Sequence, residues 1–403
     1  MRVRIITFGC AHNRADSEAM RELLLAQGFE IGEPADVVII NTCGVKHSTE
    51  EKIMELIRRI KKPLVITGCL VEHEQRIRRV AAEAVLLHPD AQARVAEAVR
   101  LAAQGIAASL RWGEKFFYAA GGPILTIPVS EGCLGHCTYC FTRQARGRER
   151  SMPVEQVVQI IKEHPEALEV RITGEDVGAY GGGRGLPMLL EALAALETRA
   201  KIRLGMINPL FFVKYFDDIV ETLRTPNFYK FLHVPIQSGS PEVLRRMGRA
   251  GSEAAFDLLK RAAEEFTLAT DIIVGFPGES EEEFEASLHL IKRVRPDITN
   301  VSAFSPRPGT PAAGLKKLPT ELVKARTRRL SEISRNISLE KNRQFIGRRV
   351  WAQITEKRRT ALARTIEYKP VGIDGEIGER LYIKIKDATT RTLIGVRDND
   401  TLG

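Results

Sequence analysis

No run of about 18 apolar residues occurs anywhere in the chain, so a membrane-spanning helix is not expected. The start, MRVRIITFGCAHN, carries two arginines, but its apolar stretch is too short for the core of a signal peptide. Internal repeats and low-complexity tracts are also missing. A cytoplasmic protein is the expectation. Cysteine is scarce, six in 403 residues. Thiols stay reduced in that compartment, so cysteines that cluster favour metal binding or catalysis over disulfides.

What is present has the balance of a soluble globular protein, 44% apolar and 28% charged. The length is too great for one ordinary core and suggests two or three domains. Net charge is +9. Residues 341–403 hold 14 Lys or Arg against 8 Asp or Glu, a surplus of 6 in a short segment. A compact basic tail points to a polyanion, most simply nucleic acid.

Residues 1–104 alternate strand and helix. VRIITF, DVVIIN and PLVIT read as buried strands, with helical periodicity over 14–27 and 48–60. That alternation means a parallel sheet with helices on its faces. Cys10, Cys43 and Cys69 each follow one of these strands, at the edge where open α/β sheets collect ligands. Residues 105–122 read as a linker. From 123 to 320, six strand–helix units (ILTIPV, LEVRIT, IRLGMI, KFLHVPI, LATDIIVGF and DITNVSAF as strands) suggest a partial barrel of TIM type. Residues 321–344 read as a connecting helix. From 345 to 403 the pattern shifts to short strands, as in a small β-barrel. The expected fold class is therefore α/β: an open parallel sheet, a partial (βα)6 barrel and a small all-β barrel.

The stretch SEGCLGHCTYCFTR, directly after the first barrel strand, holds Cys133, Cys137 and Cys140. A structural zinc site would usually need four protein ligands. His136 could be the fourth, but it lies inside the tight loop. A thioredoxin-like pair of Cys137 and Cys140 leaves Cys133 idle. An iron–sulfur cluster fits best, since thiolates are its normal ligands and three of them leave one iron of a four-iron cube open.

Cys133, Cys137, Tyr139 and Cys140 resemble the C-x-x-x-C-x-aromatic-C signature of radical S-adenosylmethionine (SAM) enzymes. Further stretches, FGCAHNRADSE, INTCGVK, TGC, VPIQSGS, VLRRMGR, DIIVGFPGE and FSPRPGTPA, resemble the methylthiotransferases over essentially the whole chain. The resemblance implies an N-terminal domain binding a second cluster, a central radical SAM domain and a C-terminal RNA-binding barrel called TRAM. It implies two 4Fe-4S clusters, on Cys133, Cys137 and Cys140 and on Cys10, Cys43 and Cys69, with SAM at the open iron of the first. It places Tyr139, Gly174, Glu175, Gln237, Ser238 and Gly275 near SAM; Glu175 is a partial match, because Thr173 stands where the family often has a glycine. No side chain is assigned a catalytic role. Asn13, Asp16, Ser17, Glu18 and Asn41 are expected to brace the second cluster's loops.

Arg203, Arg307, Arg348, Arg349, Lys357 and Arg358 are the expected substrate contacts, the last four as phosphate partners in the basic tail. Within the family, that tail favours tRNA over a ribosomal-protein aspartate. FGCAHNRADSE and the short chain look most like the archaeal and eukaryotic branch, which acts on N6-threonylcarbamoyladenosine at tRNA position 37. Isopentenyladenosine is the alternative tRNA substrate, and a non-enzymatic iron–sulfur RNA-binding module the alternative class. A low-potential donor such as ferredoxin or flavodoxin and a monomeric state are the remaining expectations.

Overall fold

The computed structural model describes residues 1–9, 11–44, 47–111, 123–357 and 360–398. Cys10, Arg358 and Arg359 lie outside the described residues. None of the described helices is long and apolar enough to cross a membrane.

Six parallel strands form the N-terminal sheet, β1 (Arg2–Thr7), β2 (Glu30–Ile31), β3 (Val37–Thr42), β4 (Leu64–Gly68), β5 (Val85–Leu87) and β6 (Ser109–Leu110), in the order β2-β1-β3-β4-β5-β6. Alternate side chains feed two cores. Val3, Val37, Ile39 and Val65 pack on one face, and Val38, Ile40, Leu64 and Ile66 on the other. Both faces are covered, which is why these strands read as unbroken apolar runs. Helix α1 (Ala11–Ala26) leaves the end of β1 and α2 (His47–Arg59) the end of β3. Ser109–Leu110, inside the segment expected to be linker, instead pairs with β5 as an edge strand. A strand of two residues shows no period, so its sequence could not announce it.

The central domain is built from β7 (Ile124–Pro128), a short hairpin of β8 (Ser130–Glu131) and β9 (Arg150–Ser151), then β10 (Glu169–Thr173), β11 (Lys201–Arg203), β12 (Phe231–His233), β13 (Thr267–Val274) and β14 (Ile298–Ala303). Three-stranded parallel sheets β7-β10-β11 and β12-β13-β14 are joined by a parallel bridge from Ile202 to Phe228. The six strands thus make the open partial barrel that six strand–helix units predict. Their core runs from Leu125 and Ile127 through Val170 and Ile172 to Leu268 and Ile272.

Helix Thr320–Arg343 leads to a closed barrel of β15 (Arg349–Lys357), β16 (Ala361–Thr365), β17 (Pro370–Ile373), β18 (Arg380–Ala388) and β19 (Leu393–Arg397), ordered β15-β16-β17-β19-β18. This small barrel is keyed into the larger one. In the β16–β17 turn Tyr368 holds a left-handed φ of 62°. Its ring packs 4.8 Å from Tyr229 and 5.0 Å from Phe231. Its hydroxyl donates to Glu169 at 2.8 Å, and Lys230 N donates to the Ile366 carbonyl at 2.8 Å.

Candidate active site at the domain interface

The loop that follows β7 and β8 gathers Cys133, Cys137 and Cys140. It starts at Gly132, whose φ is 79° and where a Cβ would sit 2.5 Å from the Arg148 carbonyl oxygen, so only glycine fits. Thr138 pins the middle, its N–H donating to the Met247 carbonyl at 3.0 Å and its hydroxyl to that of Arg246 at 2.9 Å. Each thiol then meets its own donor. Gly135 N approaches Cys133 Sγ at 3.2 Å, Thr142 N approaches Cys140 Sγ at 3.4 Å, and Arg249 Nη1 approaches Cys137 Sγ at 3.5 Å. A Cβ on Gly135 would lie 3.3 Å from Cys133 Sγ and 3.8 Å from Cys137 Sγ, so both sulfurs flank one bare backbone position.

None of the three is in a disulfide. Burial pushes the Cys133 thiol up to about 12 and raises Cys140 as well. Three unpaired thiols on one loop, each with a hydrogen-bond donor aimed at sulfur, suit an iron–sulfur cluster, whose potential such donors tune. Arg249 was not foreseen from VLRRMGR. It is 6% exposed and anchors through Nη2 to the Pro235 carbonyl at 2.7 Å. Asp176 was also missed. It takes the N–H groups of Gly178 and Asn208 at 3.1 and 3.0 Å, and burial raises its carboxyl to about 6.

Across the interface, Cys43 and Cys69 leave the ends of the adjacent strands β3 and β4. Gly9, with φ 118°, lies against Cys43, since a Cβ there would be 3.1 Å from its Sγ. Asn13 Nδ2 donates to the carbonyls of Phe8 and Thr42 at 3.0 and 2.8 Å, and Asn41 Nδ2 to the Asn13 carbonyl at 2.7 Å and Ser17 Oγ at 2.9 Å. These side chains brace the strand-end loops. A Cβ on Gly44 would be 3.5 Å from Cys69 Cβ and 3.6 Å from the ring of Phe141, the residue after Cys140. Phe141 in turn stacks on His73 at 4.5 Å. The rims that carry the two cysteine sets therefore face each other.

One guanidinium ties them. Arg146, on the short helix Thr142–Arg146, has a side chain 1% exposed. It reaches Asp16 at 2.7 Å and Asn13 Oδ1 at 3.4 Å in the N-terminal domain, and Glu131 and Glu175 at 3.2 Å each in the central one. Burial opposes its charge, but Asp16 and Glu175 hold the guanidinium well above its ordinary range, with Cys69 and Glu131 adding to them. His12, equally buried, lies 3.4 Å from Glu175 and 3.7 Å from Asp16. A second buried tie joins Arg307 to Glu50 at 2.5 Å.

Comparison with known proteins decides the family. Residues 127–291 match the radical SAM superfamily, and residues 2–87 the "Uncharacterized protein family UPF0004". A protein of Archaeoglobus fulgidus named "Probable threonylcarbamoyladenosine tRNA methylthiotransferase" is 37% identical over 98% of both chains. One of the same name from Pyrococcus horikoshii is 39% identical over 98% of this chain and 99% of its own. The threonylcarbamoyladenosine tRNA methylthiotransferase of Drosophila melanogaster is 33% identical over 98% of this chain and 77% of its own. The chain belongs to the radical SAM methylthiotransferases. Among solved structures, the radical SAM methyltransferase TsrM from Kitasatospora setae shares the fold, with TM-score 0.57 at 13% identity over 77% of each chain.

Within this methylthiotransferase the other expected site residues disperse. Glu175 Oε2 accepts from Gly132 N at 2.9 Å while Oε1 faces Arg146, so its carboxylate is built into the interface. A Cβ on Gly174 would strike Ser130 Oγ at 2.6 Å. Tyr139 packs edge-on against Phe276 at 6.4 Å. Gln237, at the barrel mouth beyond β12, holds a left-handed φ of 73°, strain of the kind that collects at ligand sites. Ser238 is fully buried and serves the loop, facing Ser287 Oγ at 3.3 Å and accepting from Ser240 N at 3.2 Å. Gly275, φ 77°, lets the helix Thr320–Arg343 approach, since a Cβ would meet Val323 at 2.6 Å.

Two expectations are corrected. Arg307 is 5% exposed and its guanidinium reaches Glu50, so it sits in a buried tie between domains and not on an open substrate-contact surface. Arg203 lines a cavity with Phe231, Thr267 and Ile298, the first residues of β12, β13 and β14. That is the end of the barrel away from the cysteine loop. In the tail, Arg349 pairs with Asp398 at 2.6 Å and lies over Tyr382. Lys357 pairs with Glu376, and Arg348 lies over Phe345 with its charge exposed.

Proposed function

We propose that this enzyme adds a methylthio group to C2 of N6-threonylcarbamoyladenosine at tRNA position 37, using SAM and two 4Fe-4S clusters. The observation that carries the reading is the buried Arg146 junction, which sets the Cys133–Cys137–Cys140 loop against the rim bearing Cys43 and Cys69. Cys133, Cys137 and Cys140 would hold one cluster, and Cys43 and Cys69 with Cys10 the other. When bound, the first cluster supplies the electron that cleaves SAM.

The chain's own residues do the rest. Gly135, Thr142 and Arg249 direct donors at the three sulfurs. Gln237 and Tyr139 border the barrel mouth where SAM would lie. Arg348, Arg349 and Lys357, with Arg358 next in the sequence, would meet tRNA phosphates. The relatives named above support the choice of threonylcarbamoyladenosine. The organisation that goes with this reading is a cluster-binding domain over 1–104 extended by the edge strand Ser109–Leu110, a radical SAM domain over 123–320 and a TRAM-like barrel over 345–403.

The test is an anaerobic assay with reconstituted enzyme, SAM, reductant and tRNA bearing threonylcarbamoyladenosine without the methylthio group. Mass spectrometry of the digested tRNA should show a nucleoside heavier by one methylthio group, lost with Cys140→Ala. Release of 5′-deoxyadenosine without that nucleoside would refute the substrate. Absence of both from a cluster-loaded enzyme would refute the enzyme reading and leave an iron–sulfur RNA-binding module.

A further inference from the structure

The cavity that takes in Arg203 measures about 850 Å³. One wall is the start of β12, β13 and β14, the second the helix Thr320–Arg343, and the third the β16–β17 turn carrying Arg364, Tyr368 and Lys369. Its charged lining is mostly cationic, Arg203, Arg335, Arg364, Lys369 and Arg391 against the one carboxylate of Asp297. Arg203 lies 4.9 Å over the Phe231 ring and 5.8 Å over that of Tyr368, and among the described residues no carboxylate comes within ion-pair distance of it. Arg364 Nε and Thr299 Oγ1 are buried without a hydrogen-bond partner. Arg335 and Arg391 line the same cavity, exposed and in no ion pair among the described residues.

The one carboxylate in the lining is spent. Asp297 accepts from Lys341 and Lys369, each at 2.6 Å, and from Leu268 N at 3.0 Å. Glu169, outside the lining, pairs with Arg171 and accepts from the Tyr368 hydroxyl through Oε1, while its Oε2 is buried without a hydrogen-bond partner. Buried donors left without acceptors are costly, and an anion would satisfy them together. Guanidinium forks match phosphate oxygens, and the planar faces of such guanidinium groups can also stack on a base. The volume exceeds what one inorganic phosphate fills and falls in the range of a nucleotide-sized ligand.

We propose that this chamber, at the end of the barrel away from the cysteines, binds a phosphate-bearing nucleotide, with Arg203 inside and Arg335 and Arg391 at its mouth. It is a site separate from methylthiolation, and its occupant is either a free mononucleotide or one nucleotide of a bound RNA. The test titrates AMP and an unmodified tRNA transcript into the full chain by calorimetry. The double variant Arg335→Ala, Arg391→Ala changes only exposed side chains and should weaken at least one probe about tenfold, the scale of one lost charge-assisted hydrogen bond. The double variant Lys61→Ala, Lys62→Ala removes as many charges from the exposed surface of the N-terminal domain and should leave binding unchanged. Arg203→Met should weaken the same probe further. A response to AMP identifies a free nucleotide, and a response to tRNA alone identifies an RNA nucleotide. Equal loss in the lysine control, or no loss for either probe in the arginine variants, overturns the proposal.

Discussion

Replacing Arg146 by Met tests whether the two cysteine-bearing domains are held together by a buried charge. The substitution keeps a long unbranched side chain and removes the guanidinium. It leaves Asp16, Glu131 and Glu175 facing one another inside the interface, where Arg146 now meets them at 2.7 to 3.2 Å. Removing one partner of a buried ion pair costs about 3–5 kcal/mol, because the stranded charge has lost its water as well as its mate. At roughly 2–4 °C per kcal/mol, scanning calorimetry of the reconstituted protein should find Tm lowered by about 6–20 °C. The stranded carboxylates also predict non-additivity. Adding Glu175→Gln, which removes one of the like charges, should restore part of the loss. Arg146→Lys should fall in between, since it keeps the charge but not the fork that reaches both domains. A loss below about 1 kcal/mol in Arg146→Met, the ordinary cost of a surface change, or no recovery on adding Glu175→Gln, would refute the junction as described.

Three further outcomes follow from other parts of the molecule. Cys140→Ala should lower iron content and visible absorbance after anaerobic reconstitution while circular dichroism stays native; unchanged iron would remove Cys140 from the ligand set. Gly275→Ala places a Cβ 2.6 Å from Val323 at a left-handed φ, so chemical denaturation should show a loss of about 1–3 kcal/mol, part of it recovered by Val323→Ala, which opens the space. Burial would raise the Asp297 carboxyl, but Lys369 and Lys341 overcome it and hold the group below its ordinary range. A depressed carboxylate stabilises the fold above its unfolded pKa and loses that contribution as pH falls through the folded value. Asp297→Asn should therefore cost stability at neutral pH, and its deficit should close below about pH 4 in denaturation curves; a deficit that persists there would sink the ion-pair account.

Much of the fold could be read in the sequence wherever burial on both sheet faces leaves a continuous apolar run. DVVIIN and PLVIT gave strands that the structure has, and a cysteine just past each one falls at the strand end whatever the details of pairing. IRLGMI and KFLHVPI gave strands longer than the observed Lys201–Arg203 and Phe231–His233. In the first, Gly205 packs its bare Cα beneath the Ile172 carbonyl; in the second, Pro235 supplies no N–H for the ladder. The buried arginines were beyond reach. TRQARGRER shows four arginines of one composition, and nothing local separates Arg146, whose partner Asp16 is 130 residues away, from its solvated neighbours. Arg203 and Arg307 were noticed for their charge, but what each faces depends on segments far along the chain.

The Tyr368 turn has a consequence for how far a bound RNA can reach. With its ring against Tyr229 and Phe231 and its hydroxyl on Glu169, the small barrel is a plug set in the floor of the large one, not a bead on a tether. The span from its outer surface to the cysteine loop is then fixed by packing, like the throat of a caliper, and on the function proposed above a substrate would be measured against it. Cutting off the tail would take away the gauge and uncork the barrel at once, so substitutions on the outer face of the small barrel separate the two roles where a truncation merges them.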